Sequence, residues 1–107
     1  MIGGGCYADN RYGAVGCIGT GEMAIRTSTA RSVILYIKQG MDLESACREA
    51  ASDFGDLAGG FIRSVIIHAI DRNGAHYVLS VGGETTPYYL WNGAGFDKKL
   101  SDSIRIT

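Results

Sequence analysis

Apolar residues recur with helical spacing through the first half of the chain, and the second half carries the short β-branched runs of strands. Ala30, Val33, Ile34 and Ile37 stand at i, i+3, i+4 and i+7, one stripe of a helix, and predict a helix from about Glu22 to Gln39. Gly40 supplies the left-handed residue that ends such a helix. Asp42 is placed to cap a second helix, whose buried stripe is Leu43, Ala46, Cys47, Ala50 and Phe54. Gly55 to Gly60 reads as a loop, and Ser64 to Ile70 as a strand. Asp71-Arg72-Asn73-Gly74 is a hairpin-turn signal, with Ala75 to Val81 as the returning strand. Gly82, Gly83 and Pro87 mark a loop, Tyr88 to Trp91 a third short strand, and Ile104-Arg105-Ile106 an edge strand or a tail. Ahead of the helices, Ala14 to Ile18 predicts a short buried strand with no obvious partner nearby. Before it lie a dozen Gly-rich, turn-like residues with a bend at Asp9-Asn10.

The order is strand, helix, helix, strand meander. It lacks the βαβα alternation of a doubly wound parallel sheet and predicts an α+β fold, with helices packed on largely antiparallel strands. At 107 residues, the stretch 1–107 is expected to form a single domain.

Composition narrows the function classes. Hydrophobic residues make up 46% of the chain, which sets it apart from disordered sequences. A formal net charge of −1 without charge blocks points to no nucleic-acid or membrane-surface partner. The longest apolar run is too short to span a bilayer, and the Met1-Ile2-Gly3-Gly4-Gly5 start has no signal-peptide pattern. Cys6, Cys17 and Cys47 are odd in number and widely spaced. They argue against a disulfide framework or a CxxC site, so the default expectation is a reducing compartment such as the cytoplasm. No spacing suggests zinc or calcium, and neither metal nor cofactor is expected.

One segment can carry chemistry. In Gly16-Cys17-Ile18-Gly19-Thr20-Gly21-Glu22 a strand ends in glycines and a helix begins, which lets backbone N–H groups face an anion. Gly19-x-Gly21-x-x-Ala24 fits the looser dinucleotide fingerprint. That unit needs a second parallel strand after its helix, and here a second helix follows. A phosphate P-loop lacks its G-K-[ST]. The plainest alternative is a tight strand-to-helix turn with no ligand.

A longer pattern weighs against chance. Gly3-Gly4-Gly5-Cys6-Tyr7-Ala8-Asp9-Asn10, followed by Gly13-Ala14-Val15-Gly16-Cys17-Ile18-Gly19-Thr20-Gly21-Glu22, resembles the isoaspartyl peptidase/asparaginase family, which includes glycosylasparaginase. Ala24-Ile25-Arg26, Thr29-Ala30-Arg31 and the run from Gly40 and Met41 through Glu44, Ala46 and Cys47 are similar to the family's paired helices. The likeness is strong from residue 3 to about 50 and afterwards rests on order and pattern. It is to the C-terminal part of the β-subunit.

The resemblance implies an N-terminal-nucleophile hydrolase with a four-layer αββα sandwich, of which this chain would form one incomplete side. Such enzymes cut themselves to expose a threonine. Its hydroxyl attacks a β-aspartyl amide and its own amino group acts as base. The family's threonine, and the arginine and aspartate that clamp the substrate, lie upstream of the segment like Gly3 to Asn10. No catalytic residue is therefore expected in this chain, which starts at Met1. What the resemblance leaves is an oxyanion and substrate-binding stretch. The N–H of Gly19 would be an oxyanion donor, the carbonyl of Gly21 would accept from the substrate amine, and Thr20 takes a variable position. Ile18 stands where the family has a threonine whose hydroxyl is the other donor, and losing one such donor costs about 100- to 1,000-fold in rate.

Other residues read as structural. Cleavage before Thr20 would sever the strand from its helix, and Thr27 and Thr29 fall inside the predicted helix. Glu22 matches the family pattern but is favoured by the helix dipole in any case. Arg26 and Arg31 read as salt-bridging or solvated. His68 and His76 lack a carboxylate partner at motif spacing, and Tyr88, Tyr89 and Trp91 suit a core or interface. The expected function is a truncated amidohydrolase for a small β-aspartyl substrate, inactive alone. The alternative is a non-enzymatic binding or assembly domain. Exposed strand edges and an uncovered apolar face are expected to favour self-association or a complementing chain.

Overall fold

Burial alternates residue by residue along the strand that starts at Val65, and this alternation gives its sheet a helix-covered side and an open side. The computed structural model describes residues 2–19, 21–56, 64–91 and 93–105. Within them the order is β1 (Cys6–Asp9), β2 (Gly13–Gly19), α1 (Gly21–Thr27), α2 (Thr29–Lys38) and α3 (Leu43–Ser52). A 3-10 turn (Asp53–Asp56) follows, then β3 (Val65–Asp71), β4 (His76–Val81), β5 (Pro87–Trp91), β6 (Phe96–Leu100) and β7 (Asp102–Ile104). One sheet runs β1-β2-β3-β4-β7, antiparallel except for the β4–β7 pair, and β5–β6 forms a separate hairpin. The result is a mixed fold of helices on a strand meander.

Three expectations need correction. The Gly-rich opening contains a strand, β1, which returns through a turn at Asn10 to Tyr12. The strand that lacked a partner in sequence is therefore flanked on both sides, by β1 and by β3. The single long helix is two, because Ser28 adopts φ 50° and ψ 48°, left-handed values that no α-helix continues through. The sequence reading also missed β6, whose Asp97, Lys98 and Lys99 give no apolar alternation. Ile104 pairs with Val81 as an edge strand. Ile106, and the part of the Gly55–Gly60 loop from residue 57, lie outside the described residues.

The helix stops are local chemistry. Asp42 Oδ1 accepts the N–H of Ser45 at 2.7 Å at the start of α3, and Gly40, at φ +104°, follows the last turn of α2. The first turn of α2 is capped by backbone. The carbonyls of Gly4 and Gly3 accept the N–H groups of Ala30 and Arg31 at 3.1 and 2.9 Å, taking up donors that a helix start leaves unpaired. Gly4 must stay small there, since a Cβ on it would lie 3.0 Å from the Cα of Ile25.

Between helices and sheet lies the core. Val15, Val65, Ile67, Leu79 and Val81 from the strands meet Val33, Ile34, Ala46, Cys47, Ala50 and Phe54. Burying a side chain such as Phe54 or Ile67 contributes about 1.5–3 kcal/mol each. The Asp71 turn joins β3 to β4 as expected, with Asp71 Oδ1 accepting the N–H groups of Asn73 and Ala75 at 2.9 and 3.0 Å. Asp102 at the start of β7 accepts the Tyr77 hydroxyl at 2.8 Å and lies 3.4 Å from Arg48 of α3, fastening the sheet edge to the helix layer.

Candidate functional site

Strand β2 delivers the segment singled out in the sequence to one corner of the sheet. Ile18 pairs with Ile66 and Gly19 with Val65, so both residues sit where β2 ends and β3 begins. Gly19 has φ +120°, and a Cβ there would fall 2.4 Å from the carbonyl oxygen of Ser64. Only glycine meets both demands. Gly21 opens α1, whose first-turn N–H groups arrive at the same corner. Thr20 lies outside the described residues, as does the side chain of Glu22.

Ile18 points to the open side of the sheet and is 60% exposed. Residue 18 offers an aliphatic side chain and no hydroxyl.

The other candidates separate by environment. Thr29 is fully buried, and the hydroxyls of Thr27 and Thr29 bond one another across Ser28. These threonines flank a break instead of lying mid-helix, and the hydroxyl of Thr29 is shielded from solvent. Burial pushes the thiols of Cys17 and Cys47 up to about 12, which keeps them protonated and unreactive. All three cysteines are free. Arg31 departs from its expected solvated or ion-paired role. Its guanidinium lies 5.3 Å from the centre of the Tyr7 ring, and its Nη1 is buried without a hydrogen-bond partner.

On the open side, β5 stands beside the sheet and encloses a cleft of about 410 Å³. Gly16, His68, His76, Val78, Tyr88 and Leu90 are among its lining residues. His76 Nε2 and the Tyr88 hydroxyl are 3.1 Å apart, and burial lowers the pKa of His68, favouring its neutral form. No group of three or more metal-ligating side chains occurs among the described residues. No helix among them is long and apolar enough to cross a membrane. Sequence reasoning missed this cleft because the hairpin's contact with His76 is set by tertiary packing.

Comparison with known proteins follows the same segment. Residues 1–86 match the family model described as Asparaginase. A probable isoaspartyl peptidase/L-asparaginase 3 of Arabidopsis thaliana is 32% identical over 76 residues, 71% of this chain and 21% of that protein. The isoaspartyl peptidases of Salmonella typhimurium and Escherichia coli are 34% and 36% identical over 96 residues. Each alignment covers 89% of this chain, and 29% and 28% of the respective enzymes. The chain thus spans between about a fifth and a third of the curated relatives it matches. With the family model covering residues 1–86 and the glycine-bearing corner inside that span, the chain belongs to the isoaspartyl peptidase/L-asparaginase family of N-terminal-nucleophile hydrolases.

Proposed function

We propose that this chain is the C-terminal part of the β-subunit of an amidohydrolase that cleaves β-aspartyl amide bonds, and that it is inactive alone. The observation that carries the reading is Gly19. Its left-handed backbone, pressed against Ser64 at the end of β2, is a constraint that only glycine meets, at the position the family resemblance assigns to an oxyanion donor. In this reading Gly19 and Gly21 are what remains of the substrate site in the chain, Thr20 is its variable position, and the attacking threonine comes from elsewhere. The open face of the sheet supports the reading as well, since a second sheet packed there would extend the fold to an αββα sandwich. The partner is then either a complementing chain or another copy of this one.

The test is complementation. The pure chain is mixed with a segment of the Salmonella typhimurium isoaspartyl peptidase that lacks the matched region, and ammonia release from asparagine and cleavage of a β-aspartyl dipeptide are followed. The expected result is turnover in the mixture and none from either piece. Turnover by this chain alone would overturn the missing nucleophile, and a mixture that neither associates nor turns over would overturn the hydrolase reading.

One observation favours a second reading, a binding or assembly domain without catalysis: an exposed isoleucine at residue 18 where the family's chemistry asks for a hydroxyl. A thermal shift on adding aspartate, with no turnover in the complemented mixture, is its expected signature.

A further inference from the structure

We infer that the Asn73–Gly74 peptide, at the tip of the β3–β4 hairpin, is a site of spontaneous covalent modification, where asparagine converts to aspartate and isoaspartate through a succinimide. The inference does not rest on the hydrolase reading; it needs only water and this turn.

The turn itself creates the weak point. Gly74 has φ +89°, a conformation that a side chain would strain, so the hairpin calls for glycine directly after Asn73. Nothing lies within 4 Å of the position a Cβ would take, so the Gly74 backbone is unshielded on that side. Its N–H donates to the carbonyl of Asp71 at 3.2 Å, the long end of the ordinary range. Asn73 is exposed, and no hydrogen bond fixes its side-chain amide among the described residues. The step balances with water alone. The Gly74 nitrogen gives its proton to solvent and attacks the side-chain carbonyl carbon of Asn73. The bond to Nδ2 breaks, ammonia leaves, and a five-membered imide closes. Water then opens the ring at either carbonyl. Opening at the side-chain carbonyl gives aspartate; opening at the main-chain carbonyl gives isoaspartate, with one extra methylene in the backbone.

Asn10 is the control within the same chain. It too is exposed in a hairpin turn, between β1 and β2. The residue after it is Arg11, whose side chain crowds the approach, and the Arg11 N–H is held at 2.9 Å by the carboxylate of Asp9. Asp71 restrains the other turn less directly. Its Oδ1 accepts the N–H groups of Asn73 and Ala75 at 2.9 and 3.0 Å, on either side of the reacting nitrogen. Ring closure must rotate the Asn73–Gly74 peptide against these bonds, so the Asp71 carboxylate acts as a brake. Once isoaspartate forms, the added methylene moves the two N–H groups apart and the hairpin loses this clamp.

The whole chain is held for weeks at physiological temperature and mildly alkaline pH. It is then mapped by mass spectrometry, with fragmentation that tells isoaspartate from aspartate. Fragmentation also separates the site from Asn92, which lies outside the described residues. Residue 73 is expected to gain close to one mass unit, mostly as isoaspartate, well ahead of Asn10. The aged chain is expected to melt below the fresh one. Asn73→Gln, whose longer side chain cannot close the five-membered ring, is expected to lose the gain at that residue and keep the fold. Asp71→Ala is expected to speed conversion several-fold with an unchanged far-UV spectrum. Asp71→Asn keeps an acceptor oxygen and is expected to stay near the wild-type rate, which separates a lost clamp from a lost fold. Conversion at residue 73 no faster than at Asn10 would overturn the site, and a rate unmoved by Asp71→Ala would overturn the role given to Asp71.

Discussion

Gly19 and Ser64 meet backbone to backbone: a Cβ on Gly19 would stand 2.4 Å from the Ser64 carbonyl oxygen, and φ at Gly19 is +120°. Gly16 lies three residues earlier on the same strand, with nothing within 4 Å of its would-be Cβ. The two glycines therefore make a controlled comparison. Gly19→Ala is expected to cost about 1–3 kcal/mol from backbone strain alone, and more from the contact. Gly16→Ala is expected to change stability by no more than about 0.5 kcal/mol. Urea titrations of the two variants check this, and similar midpoints would count against the assigned strain.

Ser28 holds a left-handed backbone without glycine's freedom, and its side chain makes no capping hydrogen bond. Ser28→Gly is expected to stabilise the chain by about 0.5–1 kcal/mol, since a side chain in this region costs about 1–2 kcal/mol and glycine's extra unfolded-state freedom offsets part of the gain. Ser28→Val is expected to lower the melting temperature. Thermal unfolding of the pair reads both signs.

The elements that could be read in sequence are those whose signal is local. Leu43, Ala46, Cys47, Ala50 and Phe54 form a helical stripe with Asp42 as cap, and all five are buried as expected. The Asp71 turn likewise carries its own chemistry in four consecutive residues. The break at Ser28 was hidden because Thr27, Ser28 and Thr29 do not by themselves forbid a helix. What forces the break is tertiary: the carbonyls of Gly3 and Gly4 dock on the first turn of α2. β1 was hidden for a similar reason, as its partner β2 makes a strand of residues that look like a glycine loop. At the candidate site, sequence placed Ile18, Gly19 and Gly21 at a strand-to-helix corner. Only coordinates gave the contact with Ser64 that makes Gly19 obligatory.

Asp9 predicts a pH dependence. Its carboxylate accepts two bonds from the Arg11 side chain and one from the Arg11 backbone, which lowers its pKa to about 2. A carboxyl group whose folded pKa is depressed stabilises the fold above its unfolded value of about 3.9, and that contribution fades as pH falls toward about 2. The melting temperatures of the wild type and Asp9→Asn are expected to differ at neutral pH and to converge on acidification through that window. Arg11 is exposed and Asp9 only half-buried beside it, so the difference is small and shrinks with salt.

Ile18→Thr tests the role assigned to its position. In the complemented mixture, restoring a hydroxyl at the end of β2 is expected to raise the turnover number by about 100- to 1,000-fold if it supplies an oxyanion donor. An unchanged rate in a mixture that is otherwise active would remove residue 18 from the site.

The central pairing of the sheet is also its most distant in sequence. Gly19 meets Val65 and Gly13 meets Asp71, whereas β1 and β2 are joined by a short turn. As the chain leaves the ribosome, the first hairpin and the helices can form from neighbouring residues. One edge of β2 must then wait, unpaired, until the helices have passed and β3 has been made. Closing that span costs chain entropy before any contact repays it. The rate-limiting event in folding is therefore expected at the β2–β3 seam, the seam that also shapes the Gly19 corner, so synthesis stalled before β3 would leave a tacky strand edge and no site.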